Sequence, residues 1–287
     1  MDIKGIVLAG GTGTRMGTIS RVINKHCNLI YRHPMILYPI SVLKKCGIEN
    51  IMVVVSEYSA GQIINILGDG SDYGVNISYG FQKEPLGIAD ALGTTRKYTD
   101  NKPIVVILGD NFFDPVPSDL IGSWSQTNAK IVLTRTIYTV GVFGIATFDC
   151  PMYRYEEDGL VKVCNGIADI YDTNYSGPRI PLPQFTNTYT ITGVVEKPVD
   201  FIGNLMQTGM YMYDNTVWDI IDNIEPSARG EYEISDVNTE YIKRGIMEYD
   251  IYHGYWVDCG TPDALLEAAN YAKEHMEIMS DVPWYRK

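Results

Sequence analysis

At 287 residues the chain is long enough for a large domain with a substantial core, and its 45% hydrophobic and 20% charged residues form a globular composition that excludes disorder along its whole length. Lys and Arg number 23 against 35 Asp and Glu, a formal charge of −12; a surface so negative repels phosphate backbones and anionic lipids, so neither nucleic acid nor a membrane is expected as a partner. The five cysteines (Cys27, Cys46, Cys150, Cys164 and Cys259) include no C-x-x-C pair, Met1 to Lys4 opens straight into a strand-like run, and no apolar run of about 18 residues follows, so a soluble cytoplasmic protein without disulfide framework or zinc site is expected.

The first 110 residues alternate β-branched runs with helical segments. Strands are predicted at Gly5 to Ala9, Ile51 to Val55, Val75 to Tyr79 and Ile104 to Leu108, and helices at Met35 to Lys45, Ser59 to Leu67 and Ile88 to Lys97. This βαβα grammar, with continuously hydrophobic runs, predicts an α/β fold with a doubly wound, mostly parallel sheet. Ligands then sit beyond the carboxyl ends of the strands, which directs attention to the loops after Ala9, Tyr79 and Leu108. From Lys130 the grammar turns to α+β, with strands at Ile131 to Thr136, Val142 to Phe148, Thr190 to Val195 and Thr208 to Tyr213, and helices resuming at Asn215. Cys150 to Thr188 holds four prolines and little apolar periodicity, and reads as a long excursion. Thr261-Pro262-Asp263 supplies an N-cap and a first-turn proline for a last helix.

The loop after the first strand reads Leu8-Ala9-Gly10-Gly11-Thr12-Gly13-Thr14-Arg15-Met16, a turn of the kind that brings backbone N–H groups to phosphate oxygens, although such glycines also serve purely structural turns. A dinucleotide fingerprint starting at Gly11 needs glycine where Met16 stands, and no G-K-[S/T] follows. A nicotinamide-dependent oxidoreductase is therefore set aside. Arg15 and Lys25, two cations close to this loop on an acidic protein, suit a triphosphate whose charge must be neutralised.

With Lys25, the segment Leu8 to Met16 resembles the L-A-G-G-x-G-T-R-[L/M]…K signature of the sugar-phosphate nucleotidyltransferases, and Pro34-Met35-Ile36 matches the P-M-I of their glucose-1-phosphate thymidylyltransferase branch. Further matching blocks are Gln82 to Ala89, Leu108 to Asn111, Val195 to Pro198, Thr208 to Tyr211, Pro226 to Glu231 with Ser235 to Asn238, and Trp256 to Thr261, in the family's order. The resemblance implies a single nucleotidyltransferase domain over 1–287 on a Rossmann-like sheet, with a nucleotide-binding part at 1–130, a sugar-binding part at 131–287 and an unusual insertion at about 150–188. It implies Mg²⁺-dependent transfer of a nucleotidyl group from dTTP, or UTP in the sister activity, to glucose 1-phosphate. A non-catalytic nucleotide-sugar sensor is the reading from another class. A homo-oligomer is expected from the family's habit.

Asp110 and Asp258 each stand at a predicted strand end. Either could merely cap a turn, but two carboxylates with substrate phosphates suit Mg²⁺, and the resemblance carries metal binding onto both. It likewise assigns Arg15, Lys25, Asp110 and Lys197 to catalysis, and Leu8, Gly10, Gly11, Gly13, Thr14, Gln82, Pro85 and Gly87 to the nucleotide. Gly144, Glu196, Lys197, Gly209 and Arg229 fall to the sugar phosphate. Glu84 and Asp90 are read as solvated and the four histidines as structural or surface residues. Departures from the family pattern are Asn24 and Cys27-Asn28 after the signature, the long connection from Asp149 to Val195, and an end too soon after Asp258 for the C-terminal regulatory extension of short-type members, so that feedback regulation there is not expected.

Overall fold

The structure, a computed structural model, describes residues 2–135, 141, 143–149, 190–200, 202–203 and 205–275, and the backbone of 152–157 and 160–165. β1 (Lys4–Ala9) leads into the glycine-rich loop, 3₁₀ turns at Thr14–Arg21 and Lys25–Cys27, a small hairpin of β2 (Leu29–Ile30) and β3 (His33–Pro34), and α1 (Leu37–Lys45). The expected alternation follows: β4 (Asn50–Ser56), α2 (Ala60–Leu67), β5 (Asn76–Gln82), α3 (Ile88–Gly93), α4 (Arg96–Thr99) and β6 (Ile104–Leu108). Then come β7 (Asn111–Asp114), α5 (Ser118–Gly122), β8 (Ala129–Arg135), β9 (Ile145–Phe148), β10 (Met152–Glu157), β11 (Leu160–Asn165) and β12 (Ile191–Val195). The last elements are β13 (Leu205–Tyr213), α6 (Val217–Ile221), α7 (Ile234–Lys243), β14 (Met247–Ile251), β15 (Tyr255–Asp258) and α8 (Pro262–Glu274).

These elements form a mixed α/β fold around a nine-stranded sheet of order β12-β9-β13-β6-β1-β4-β5, parallel through its central β6-β1-β4-β5 run, with β8 joining β13 to the edge strand β14. β1 lies parallel to β4 on one side and to β6 on the other. The strand order therefore reverses at β1, and a crevice opens beyond the carboxyl ends of β1 and β6. β13 closes the parallel half by running antiparallel to β6. Alternate residues of the central strands enter two cores: Ile6, Leu8, Ile104 and Val106 face one, and Val7, Ala9, Val105 and Ile107 the other. Burial on both faces is why these runs carry no polar alternation.

The predicted helix at Ile88 to Lys97 is broken into α3 and α4. Thr94 Oγ1 and Thr95 Oγ1 donate back to the carbonyls of Ala91 and Leu92 at 2.7 and 2.8 Å, a local competition with the helical ladder. β7, unread in the sequence, pairs antiparallel with β15, the strand expected to end at Asp258, from Asn111↔Asp258 to Asp114↔Tyr255. Within the long connection the backbone of β10 and β11 forms an antiparallel hairpin; the rest of the expected insertion lies outside the described residues. Among the described residues no helix is long and apolar enough to cross a membrane.

One buried polar chain ties α7 to the sheet. The Tyr213 hydroxyl donates to Asn238 Oδ1 at 2.6 Å, and Asn238 Nδ2 donates to Gln207 Oε1. Both Tyr213 and Asn238 are fully buried. Asn238→Ala strands a hydroxyl and an amide oxygen away from water, so a loss of about 2–4 kcal/mol in unfolding free energy is expected in urea titrations.

Candidate active site

The register of β1 against β6 pairs Leu8 with Leu108, and the Gly109 N–H closes onto the Leu8 carbonyl at 2.9 Å. The glycine loop and Asp110 therefore leave the sheet side by side. Lys25 is carried there by the second 3₁₀ turn, whose N-cap Asn24 accepts from the His26 N–H at 2.9 Å and donates its own N–H to Gln62 Oε1 at 2.7 Å. Lys25 Nζ makes an ion pair with Asp110 Oδ2, with both side chains largely buried. Burial by itself would raise the Asp110 carboxyl, but the Lys25 charge and hydrogen bonds from Lys25 and Asn111 hold it below the usual carboxylate value. His26 is buried, and burial followed by the Lys25 charge takes its ring down to about 3, so it stays neutral beside the pair.

Asp258 reaches the same point from the far end of the chain. β15 pairs with β7, and the Cys259 N–H donates to the Asp110 carbonyl at 2.8 Å. Arg15 Nη2 lies 3.5 Å from Asp258 Oδ2, on a guanidinium 55% exposed. Burial, then the neighbouring Asp110 charge, pushes the Asp258 carboxyl up to about 6 against the pull of Lys25 and Arg15.

Around Gln82 the cleft wall is uncharged. Gly87, at φ 107°, packs so closely on Tyr232 that a Cβ there would lie 2.5 Å from the Tyr232 carbonyl oxygen. At the opposite end Glu196, Lys197 and Arg229 meet: Lys197 Nζ lies 3.5 Å and Arg229 Nη2 3.7 Å from Glu196 Oε1, and Arg229 also bonds Glu233 at 2.7 Å. Ser235 Oγ donates to the other Glu196 oxygen at 2.6 Å and accepts from Gln207 Nε2 at 2.9 Å. The Gly144 carbonyl accepts the Gln207 backbone N–H at 2.9 Å.

A single cleft of about 700 Å³ collects Leu8, Gly10, Gly11, Arg15, Lys25, Gln82, Pro85, Gly87, Asp110, Gly144, Glu196, Lys197, Gly209, Arg229 and Asp258. Gly13 and Thr14 are the two sequence candidates that do not line it; Gly13 packs on the Lys25 stem instead. Glu84 is exposed as expected, but Asp90 is half-buried and accepts from Gln82 Nε2 at 2.7 Å, which corrects its reading as solvated. Asn111, Gln207, Ser235 and Trp256 escaped the sequence reading. Asn111 and Trp256 had a usable signal, since one adjoins Asp110 and the other stands two residues before Asp258, on the same strand face.

The sequence matches the nucleotidyl transferase family over residues 4–162 and 182–275, and the break falls inside the long connection. The chain belongs to that family. It is 31% identical to the glucose-1-phosphate thymidylyltransferase of Neisseria meningitidis over 98% of this chain and 89% of that protein, and 31% identical to the enzyme of the same name from Mycolicibacterium smegmatis over 94% and 82%. A Bacillus anthracis structure described as a glucose-1-phosphate thymidylyltransferase, in complex with sucrose, superposes with a TM-score of 0.77 at 33% identity, covering 95% of this chain and 96% of that one. A UDP-glucose pyrophosphorylase complexed with UDP-glucose shares the fold at TM-score 0.75 and 21% identity, over 96% of this chain and 100% of that one. The protein is a sugar-phosphate nucleotidyltransferase.

Asn111 is the joint of its site. Its Oδ1 accepts from the Gly209 N–H at 2.8 Å and from Trp256 Nε1 at 2.7 Å, while Nδ2 donates to Asp110 Oδ1 at 3.2 Å. A Cβ on Gly209 would lie 2.6 Å from Asn111 Oδ1. Gly209→Ala must therefore displace the amide that orients Asp110, and turnover in a nucleotidyl-transfer assay is expected to fall by about 10²-fold, the scale for a misplaced catalytic group.

Proposed function

We propose that the protein transfers a thymidylyl group from dTTP to glucose 1-phosphate, yielding dTDP-glucose and pyrophosphate, with Mg²⁺ as cofactor. The observation that carries this reading is the three-part cleft: an uncharged slot around Gln82, a charged centre of Arg15, Lys25, Asp110 and Asp258, and a polar end of Glu196, Lys197 and Arg229. A base, a triphosphate and a sugar phosphate need those three environments in that sequence. The thymidylyltransferase relatives, aligned along nearly the whole chain, support the choice of base and sugar.

In the reaction a phosphate oxygen of glucose 1-phosphate attacks the α-phosphorus in line. The new P–O bond forms as the bond to the β-phosphate bridging oxygen breaks, and pyrophosphate leaves with that electron pair. The nucleophile is already anionic, so positioning and charge stabilisation carry the catalysis without a general base. Arg15 and Lys25 draw charge from the triphosphate. Lys197 and Arg229 hold the sugar phosphate, and Glu196 accepts from sugar hydroxyls. Leu8, Gly10, Gly11, Gln82, Pro85 and Gly87 take the nucleoside and its phosphates, while Gly144 and Gly209 leave room for the sugar.

Asp110 and Asp258 offer a hard, all-oxygen donor set. Burial and the Asp110 charge together hold Asp258 at about 6, so cationic charge between the two carboxylates suits them. An ion held by two carboxylates would complete its shell with waters and substrate phosphates. The two aspartates would hold Mg²⁺, which supplies positive charge against the reacting phosphate oxygens.

The test is pyrophosphate release with Mg²⁺, glucose 1-phosphate and each of dTTP, UTP, CTP, ATP and GTP. Release with dTTP well above UTP is expected; a UTP optimum would move the protein to uridylyl transfer, and no release from folded protein would overturn the reading. Lys25→Ala and Arg15→Ala should each lower turnover by roughly 10²-fold or more, the scale for one preorganised donor. Removal of divalent cations by EDTA is expected to abolish release, and added Mg²⁺ to restore it.

A further inference from the structure

Asp90 sits in the first turn of α3, eight residues beyond Gln82, and the turn at Gly87 folds it back over the Gln82 side chain. Gln82 Nε2 donates to Asp90 Oδ2 at 2.7 Å and to the Gly87 carbonyl at 3.1 Å. A carboxylate and a carbonyl can only accept. The amide orientation is therefore forced: turned over, Gln82 would set its oxygen against both of them. Gln82 Oε1 is left 2.9 Å from the place a Cβ would take on Gly10, bordering the cleft, with no donor to it among the described residues. Gln82 is only 6% exposed, and its free oxygen lies at the edge of the cleft, open to a ligand donor there. The cleft residues Leu8, Gly10, Pro85, Gly87 and Ile88 are uncharged.

We propose that Asp90 is a specificity-determining positioning residue: by accepting from the Gln82 amide it fixes the Gln82 oxygen toward the cleft and selects a base that presents a ring N–H there over one that presents a ring-nitrogen lone pair. Thymine and uracil carry that N–H at N3, flanked by carbonyls. Cytosine carries a lone pair at the same ring position and meets Gln82 acceptor to acceptor, a buried hydrogen bond unmade. The inference rests on the nucleotide-binding reading of this cleft. Gly87 holds the same amide by one bond, but Asp90 adds the shorter, charge-assisted one. An isosteric amide at 90 can donate or accept, and so frees Gln82 to present either face.

The experiment is calorimetric binding of dTTP, dCTP and N3-methyl-dTTP to the full chain and to Asp90→Asn and Asp90→Ala, with thermal melts showing that each variant is folded. The wild type should bind dTTP at least about tenfold more tightly than either of the other nucleotides, the scale of one such hydrogen bond. In Asp90→Asn the dTTP-to-dCTP ratio should shrink by about tenfold. An unchanged ratio in both variants, or a wild type that binds dTTP and dCTP equally, overturns the role given to Asp90. Pyrophosphate release measured in parallel separates the two readings. Base discrimination that depends on Asp90 without release sinks thymidylyl transfer alone. Release from dTTP with selectivity unaltered in both variants sinks the Asp90 role alone.

Discussion

The parallel register of β1 against β6 is the constraint from which the cleft follows. It brings Leu8 and Leu108 to the same level, and the Gly109 N–H to the Leu8 carbonyl, so the chain leaves both strands at one point. A doubly wound sheet has one such place, where neighbouring crossovers diverge to opposite faces. The remaining charged groups are bolted to that point by separate devices. Asn24 caps the turn that carries Lys25, and β15 pairs with β7 so that Asp258 lies across from Asn111. The small β7–β15 ribbon, tied to the main sheet through Asn111 and the Gly209 N–H, holds Asp258 beside the turn that carries Asp110.

The electrostatics at that point run against the global field. The protein carries −12 overall, yet its cleft must attract an anion on the proposed reaction. Lys25 and Asp110 are both largely buried, where their attraction is weakly screened and where loss of either partner strands a charge. Arg15 stays over half exposed and pairs with Asp258 at a looser 3.5 Å. One cation is thus held in a buried pair, and the other sits in a looser pair at the surface of the cleft. Arg229 repeats the second arrangement at the far end, shared among Glu196, Glu231 and Glu233 at 3.7, 3.5 and 2.7 Å.

Much of this was legible in the sequence because its carriers are local. The loop Leu8 to Met16, the turn at Asp110 and the N-cap at Thr261 are each set by a few consecutive residues, and the structure places a 3.2 Å bond from the Ala264 N–H to the Thr261 hydroxyl where the cap was expected. The alternation of strands and helices through Leu108 was equally plain, since a strand buried on both faces leaves no other pattern. What escaped depends on contacts between distant segments. β7 is four residues long, too short to show a period, and acquires meaning only from its pairing with β15. Asp90 looks like any helix-surface carboxylate until the Gly87 turn brings Gln82 against it. Gln207 fell just before the strand expected from Thr208, and nothing in its own neighbourhood announces the partners on α7.

Gln207 also explains how a core strand can govern the Glu196 end of the cleft. From Tyr213 through Asn238 and Gln207 to Ser235 each group donates to the next, and Ser235 donates to Glu196. Hydrogen bonds that point one way polarise one another, and a buried chain with every member satisfied is rigid. The chain ends on a carboxylate that only accepts, so its direction is fixed at both ends: a hydroxyl at the buried end, an anion at the cleft. One Glu196 oxygen is thereby committed to Ser235, and the other, Oε1, faces Lys197 and Arg229. On the proposed reaction, a sugar docking there would meet an acceptor whose position is set by the packing of β13 against α7, well behind the surface it touches.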